Sequence, residues 1–281
     1  MTILTQHHTL SNGVQIPKLG FGTWQIEEGE NGREAVLAAL DVGYRHIDTA
    51  RGYGNEATVS RAIADSGIPR DQIFVTTKLP AELKSYAEAH ASFEKSVAAL
   101  QMDYVDLYLI HAPWPWQDMG ADCSAGNAEA WRAIEEIYTS GRARAIGVSN
   151  FEITHIESLL ESATLVPHVN QIKFFVGTTQ RVLTSYCHSR GILVEGFSPL
   201  ATGSLLEAAD VGAVAQRYGK SVAQLCIRYV SQSGVLPLPK TMTPARMIEN
   251  ADIDFDITAA DMAYLDGLAD IATEHHGPMV S

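Results

Sequence analysis

Asp48-Thr49-Ala50-Arg51-Gly52-Tyr53-Gly54-Asn55-Glu56 joins a short apolar run, 45–48, to an amphipathic run, 55–65. The first run reads as a strand and the second as a helix, so the stretch is a strand-to-helix turn. It sets a carboxylate and a phenol close together in that turn. Working outward, Lys78 ends the next strand pattern, 73–78, and His111 follows the one after, 104–110. Four residues that can jointly handle a proton thus occupy the same kind of boundary.

The alternation continues along the chain. Strand patterns lie at 18–23, 45–48, 73–78, 104–110, 145–149, 169–172, 193–197 and 235–238. Helical patterns lie at 33–42, 55–65, 87–100, 129–140, 154–160, 180–189, 211–218 with 222–231, and 259–268, with Gly141 as a helix stop. Near the start, Asn12-Gly13 between 9–10 and 14–16 is a type I′ hairpin signal. About eight β/α repeats predict an α/β chain with a parallel sheet. With no Pro- or Ser-rich linker and no charge block, they favour a closed (β/α)8 TIM barrel with an N-terminal β-hairpin, residues 1–281 forming one domain. Such barrels carry their active sites at the C-terminal strand ends. Asp48, Lys78, His111, Ser149-Asn150, Gln171 and Phe197 all fall at or just past predicted ends.

A formal charge of −13 argues against nucleic acid or an anionic membrane surface as partner. No apolar run approaches the roughly 20 residues of a membrane helix. Cys123, Cys187 and Cys226 are scattered, without a CxxC, and read as free thiols of a reducing compartment. The first residues lack the basic and apolar regions of a signal peptide. These features predict a cytoplasmic protein, and we expect a monomer acting on a small molecule.

Carbonyl reduction needs a hydride donor and a proton donor. A tyrosine hydroxyl can give the proton, but its ordinary pKa near 10 is too high for easy exchange at neutral pH, and a nearby ammonium lowers it. Lys78 suits that task, Asp48 would hold Lys78 as its ion-pair partner, and His111 would orient the carbonyl or help donate the proton. Taken singly, each residue has a plainer reading. Asp48 could cap a helix, Tyr53 could be packing, Lys78 could be a solvated strand end, and His111 could be a satisfied buried histidine. Their joint placement on consecutive barrel strands favours the relay.

At these residues the chain resembles the aldo-keto reductases. The matching segments are Gly20-Phe21-Gly22-Thr23-Trp24, Gly43-Tyr44-Arg45-His46-Ile47-Asp48-Thr49-Ala50, Tyr53-Gly54-Asn55-Glu56, Thr76-Thr77-Lys78 and Leu109-Ile110-His111. They continue with Ile146-Gly147-Val148-Ser149-Asn150-Phe151, Asn170-Gln171, Pro239-Lys240-Thr241 and Arg246-Met247-Ile248-Glu249-Asn250. The resemblance implies a (β/α)8 barrel, hydride transfer from nicotinamide C4 of NADPH without a metal, and a tetrad of Asp48, Tyr53, Lys78 and His111. It implies that Gly22, Thr23 and Trp24 border the nicotinamide end of NADPH/NADP+, near Asp48, and that Ser149, Asn150 and Gln171 hold the carboxamide. By the same resemblance Phe197 stacks on the ring, and Ser198 and Leu200 follow the dinucleotide linkage. Lys240, Thr241 and Arg246 surround the 2′-phosphate, and Glu249 and Asn250 contact adenine. Trp24, Tyr53, His111 and Trp114 would line the substrate pocket. The chemistry of the side chains agrees: amides can both donate to and accept from a carboxamide, and Lys and Arg suit a phosphate dianion.

The chain departs from many relatives at His111-Ala112-Pro113-Trp114-Pro115-Trp116, where an aromatic is absent at 112 and Trp114 or Trp116 would replace it. It also has Lys173-Phe174-Phe175 after the strand bearing Gln171, and it stops at Met279-Val280-Ser281, without the aromatic tail segment common in the family. Either the cleft is more open or the chain is trimmed. Among members it looks most like the bacterial 2,5-diketo-D-gluconate reductases, which points to dicarbonyls or keto-sugar acids. Other motifs fail on inspection. Gly219-Lys220-Ser221 lacks the upstream glycine of a P-loop, Gly20-Phe21-Gly22 lacks the third glycine of a Rossmann fingerprint, and no Tyr-xxx-Lys occurs. His7-His8 and His275-His276 have no carboxylates in metal spacing. Two rival functions remain: a barrel that binds NADPH without turning it over, and an isomerase or lyase with no nicotinamide. The complete tetrad opposes the first and the cluster of Lys240, Thr241 and Arg246 the second.

Overall fold

A two-stranded antiparallel hairpin, β1 (His7–Thr9) and β2 (Gln15–Pro17), comes first in the computed structural model, which describes residues 2–268. Its turn is not type I′. Only Gly13 has positive φ (85°); its N–H bonds the Leu10 carbonyl at 2.8 Å, and Leu10 N bonds the Val14 carbonyl at 2.9 Å. This is a three-residue loop with glycine at the left-handed position. Asn12 is freed from that role, and its side chain donates to the Arg144 carbonyl at 2.9 Å, tying the hairpin to the barrel.

Eight parallel strands then follow in chain order around one sheet. They are β3 (Phe21–Gly22), β4 (His46–Asp48), β5 (Phe74–Leu79), β6 (Val105–Ile110), β7 (Ala143–Ser149), β8 (Val169–Lys173), β9 (Leu193–Phe197) and β10 (Leu236–Leu238). Gly20 N to Pro237 O at 3.1 Å and Gly22 N to Pro239 O at 3.0 Å join the first strand to the last and close the barrel. The first strand has two residues where the pattern at 18–23 predicts six.

The helices match the predicted rhythm: α1 (Glu30–Val42), α2 (Glu56–Asp65), α3 (Tyr86–Leu100), α4 (Ser124–Thr139), α5 (Ile153–Leu160), α6 (Arg181–Ser189), α7 (Ala209–Arg217) and α8 (Val222–Gln232). Two more follow, α9 (Pro244–Ala251) and α10 (Ala259–Gly267). Their ends have local causes. Ser85 and Glu88 form a reciprocal capping box at α3, as Ser221 and Gln224 do at α8. Helix α4 starts five residues before the predicted 129, and α9 is absent from the sequence reading; its Pro244 at the first turn fits a helix start.

Two apolar layers result. One lies between helices and strands, with Trp131, Phe93 and Tyr108 among its largest buried side chains. The other fills the barrel interior from below: Leu10 and Ile16 from the hairpin, then Phe74, Leu107, Leu109, Ala145, Val169, Leu236 and Leu238. Side chains two apart on a strand share a face. This parity carries Phe74 up to Thr76 and Lys78, Leu109 to His111, Val169 to Gln171, and Leu193 to Glu195.

Gly147 sits where this interior leaves no room for a side chain. A Cβ there would lie 2.4 Å from the Val169 carbonyl oxygen and 2.8 Å from Leu109 Cδ2. Gly147→Ala is expected to cost about 3 kcal/mol or more, against about 1 kcal/mol for loss of the α3 cap in Ser85→Ala. Urea unfolding of the two variants checks the order.

Candidate active site

Strands β4 and β5 bring Asp48 and Lys78 together at the top of the interior. Lys78 Nζ donates to both Asp48 carboxylate oxygens at 2.8 Å and to the Thr49 carbonyl at 2.9 Å. Lys78 is not the solvated strand end of its plainer reading: it has no exposed surface, and Asp48 is 4% exposed. Burial opposes the ammonium, but Asp48 and then Tyr53 outweigh it, and the Lys78 pKa stands above its ordinary value.

Tyr53 ends a single 3-10 turn, Arg51–Tyr53, closed by Gly54 at a φ of 69°. Its half-buried ring has Lys78 Nζ 5.1 Å from its centroid. The ammonium pulls the phenol pKa down, as expected, but burial is the larger effect and the net direction is up. The Tyr53 ring meets His111 edge-on at 5.5 Å. His111 N bonds the Leu79 carbonyl at 3.1 Å, and burial followed by Lys78 holds its imidazole pKa well below the usual histidine range. His111 is therefore neutral at physiological pH.

The aromatic wall extends from His111. The Trp116 ring packs on it at 5.4 Å, and Trp114 packs on Trp116 at 5.2 Å. Trp116, more than Trp114, adjoins the histidine. Ala112 is buried, and its carbonyl receives Lys84 Nζ at 2.7 Å, while Asn127, which accepts from Lys84 at 2.9 Å, donates to the Pro113 carbonyl at 2.8 Å. These bonds anchor the start of the loop. Burial lowers the Lys84 pKa to about 8.

Thr23, following β3, receives a different anchor: its N and Oγ1 both donate to the Asp48 carbonyl, at 2.9 and 3.0 Å. Asn55 donates to the Thr23 and Ile26 carbonyls at 2.9 and 2.8 Å and accepts from Thr49 Oγ1 at 2.7 Å. It therefore latches the Gly22-Thr23-Trp24 loop onto the turn that carries Tyr53.

Ser149, Asn150 and Gln171 meet at the ends of β7 and β8. Asn150, at a φ of 60°, donates to the His111 carbonyl at 2.9 Å and to Ser149 Oγ at 3.0 Å; among the described residues its Oδ1 accepts nothing. That acceptor faces no competition for a carboxamide. Gln171 carries an engagement that the sequence does not show. Its Nε2 donates to Asp48 Oδ2 and Glu195 Oε2, each at 2.8 Å, so its donor is already used.

Phe197 ends β9, partly exposed. The chain then passes through Ser198, Ala201 and Thr202, all at positive φ, with Leu200 between them. Left-handed non-glycine residues in such number mark a backbone held in a sparsely populated shape. Lys240, Thr241 and Arg246 gather around the start of α9. Among the described residues neither Lys240 nor Arg246 forms an ion pair or a side-chain hydrogen bond, and the first turn of α9 holds no acid. Two free exposed cations beside a helix N-terminus fit an anion, in a chain of net charge −13. Glu249 and the buried Asn250 follow on the same helix.

Residues 18–270 match the model of the aldo/keto reductase family. The chain belongs to that family. It is 44% identical over 260 residues to a glyoxal reductase of Bacillus subtilis, covering 92% of this chain and 91% of that one. An aldo/keto reductase from Brucella melitensis superposes with a TM-score of 0.86 at 40% identity, over 93% and 98% of the two chains. A Bombyx mori aldo-keto reductase solved in complex with NADP has a TM-score of 0.83 at 33% identity, over 93% and 92%. As a family member the chain is an oxidoreductase.

Three contributors to this site escape the sequence reading. Asn55 lies in the quoted stretch but reads there as a helix start. Glu56 is buried and accepts from Thr77 Oγ1 at 2.6 Å, beneath the Tyr53 turn. Glu195 sits mid-strand among apolar residues, and that context was the available signal: a lone acid in a barrel strand must face an interior partner or be neutral. Gly219-Lys220 is confirmed as ordinary, since Lys220 pairs with Asp252 at 2.7 Å. His275-His276 and the 279–281 end lie outside the described residues.

Removing the buried cation isolates its partners. Lys78→Met is expected to cost about 3–5 kcal/mol, because Asp48 is left as an uncompensated buried charge. Urea midpoints check this, with Asp48→Asn/Lys78→Met recovering part of the loss.

Proposed function

We propose that this chain reduces aldehydes and ketones to alcohols with NADPH, with Tyr53 as the proton donor. The observation that carries the reading is the buried Lys78 ammonium, fixed by Asp48 and standing 5.1 Å from the Tyr53 ring, which in turn meets His111. When bound, NADPH supplies the hydride. The residues of this chain do the rest. Asn150, with Ser149, holds the carboxamide through the unused Oδ1, and Phe197 stacks on the ring. Lys240, Thr241 and Arg246 bind the 2′-phosphate, which makes NADPH preferred over NADH, while Glu249 and Asn250 meet adenine.

His111, neutral, donates a hydrogen bond that aims the carbonyl oxygen at the Tyr53 hydroxyl. Lys78 then lowers the cost of the phenolate as the proton leaves, against the opposing effect of burial. The charge on the Tyr53 oxygen lands beside a cation that has already been desolvated and oriented, so little reorganisation accompanies the transfer. The substrates are small: Trp116 packs directly on His111, and the glyoxal reductase relative aligns over 92% of this chain at 44% identity. Dicarbonyls such as methylglyoxal fit this reading, and sugar keto-acids are the second substrate class.

Tyr53→Phe is expected to lower turnover by about 100- to 10 000-fold while NADPH still quenches tryptophan fluorescence. Turnover near wild type in that variant would sink the assignment. Lys240→Ala and Arg246→Ala should each weaken NADPH by about tenfold with little change for NADH, as loss of a charge-assisted bond requires. Equal dissociation constants for both cofactors in wild type would contradict the phosphate site.

A further inference from the structure

Below the Lys78–Asp48 pair lies a second acid to which the reaction gives no part. Glu195 has no exposed surface; its Oε2 accepts Gln171 Nε2 at 2.8 Å, and its Oε1 has no hydrogen-bond partner among the described residues. The same Nε2 donates to Asp48 Oδ2 at 2.8 Å. One amide nitrogen thus spends both hydrogens on two acids from two strands. On the far side His46 Nε2 lies 3.8 Å from Glu195 Oε1, and that ring nitrogen is already engaged with Thr76 Oγ1 at 3.0 Å.

The groups of charge facing Glu195 are few. Strand β4 presents Asp48 and His46, β5 presents Lys78, β8 presents the neutral Gln171, and β10 pairs the apolar Leu236 with it. Among the described residues Lys78 is the cation that acts on it, and that ammonium is already bound by the Asp48 carboxylate and the Thr49 carbonyl. His46 supplies no second cation, since burial drops its pKa to about 3. Asp48 and Lys78 cancel; an ionised Glu195 would leave the interior with one uncompensated anion.

We propose that Glu195 is a positioning residue for the reductase reaction read from this site, one that holds Gln171 against Asp48 without setting a second carboxylate charge beside the Lys78–Asp48 pair that faces Tyr53. Burial and then Asp48 push the Glu195 pKa up to about 8, so its proton is retained through neutral pH. Ionisation above that point adds a negative charge near Lys78. The Tyr53 hydroxyl then becomes a weaker acid, and Gln171 is pulled between two carboxylates.

The test uses the full-length protein. In wild type, reductive kcat is expected to fall by about threefold through a step near pH 8, before any titration of Tyr53 itself. E195Q should lack that step while keeping an acceptor for Gln171. E195L should lose about tenfold in kcat at every pH with KM for the carbonyl little changed, and E195Q should recover most of that loss. A kcat profile in E195Q that keeps the wild-type step overturns the proposal. Infrared spectra of wild type with isotope-labelled glutamate give a check that needs no variant. A protonated carboxyl band should be present at pH 7 and lost by pH 9, and its absence at pH 7 also overturns the proposal. Wild-type stability should fall with rising pH between the unfolded glutamate range and about 8, because the folded state alone keeps the proton. If Tyr53→Phe turns over normally, the reductase reading fails instead, and the infrared band still reports on Glu195.

Discussion

A lysine ammonium without exposed surface is costly to place inside a protein, and this barrel is built around making it tolerable. Two strands must deliver Asp48 and Lys78 at the same height, a carbonyl at Thr49 must also accept from the ammonium, and Gln171 must steady the carboxylate from the opposite wall. Each of those requirements fixes a strand register. If β5 slipped by one residue, Lys78 would point into the helix layer and the pair would be lost. The same pairing that closes the sheet therefore also aligns the chemistry.

The remaining parts of the site depend on that pair. Tyr53 owes its setting to the cation, while its turn is held by Asn55, which also holds the loop after β3. His111 is kept neutral by burial and by the same cation, and Trp116 packs edge-on against His111. Lys84 and Asn127 act farther out, tying down the backbone from which Trp114 and Trp116 project. The cations near α9, unpaired among the described residues, stand apart from this network, as the proposed phosphate site requires.

Much of this was legible in the sequence because barrel strands signal through period and position. Each of the eight predicted strands overlaps an observed one, and Asp48, Lys78 and His111 stood at strand ends, where the barrel geometry gathers them. What stayed hidden depends on partners distant in the chain. The tug on Tyr53 between burial and Lys78 is a balance of two large effects, and spacing alone names only one of them. Gln171 offers a donor in any reading, but only the fold shows Asp48 and Glu195 claiming it. Asn12-Gly13 suggested a turn type, yet the open partner for Asn12 was the Arg144 carbonyl, more than a hundred residues away. Helix α9 was missed because eight residues with exposed Arg246 and Ile248 carry too short an apolar period.

The N-terminal hairpin gives the interior a floor. Leu10 and Ile16 seal the end of the barrel opposite Asp48, Lys78 and His111, beneath Phe74, Leu107 and Leu236. The polar well above them, in which His46, Glu195 and Lys78 have no exposed surface, is thus covered from below and opens toward the mouth that carries Tyr53 and His111. A molecule lodged at that mouth would isolate the well from solvent altogether, freezing its protonation pattern for as long as it stayed. The hairpin, remote from every reacting atom, is in this sense the insulation of the site.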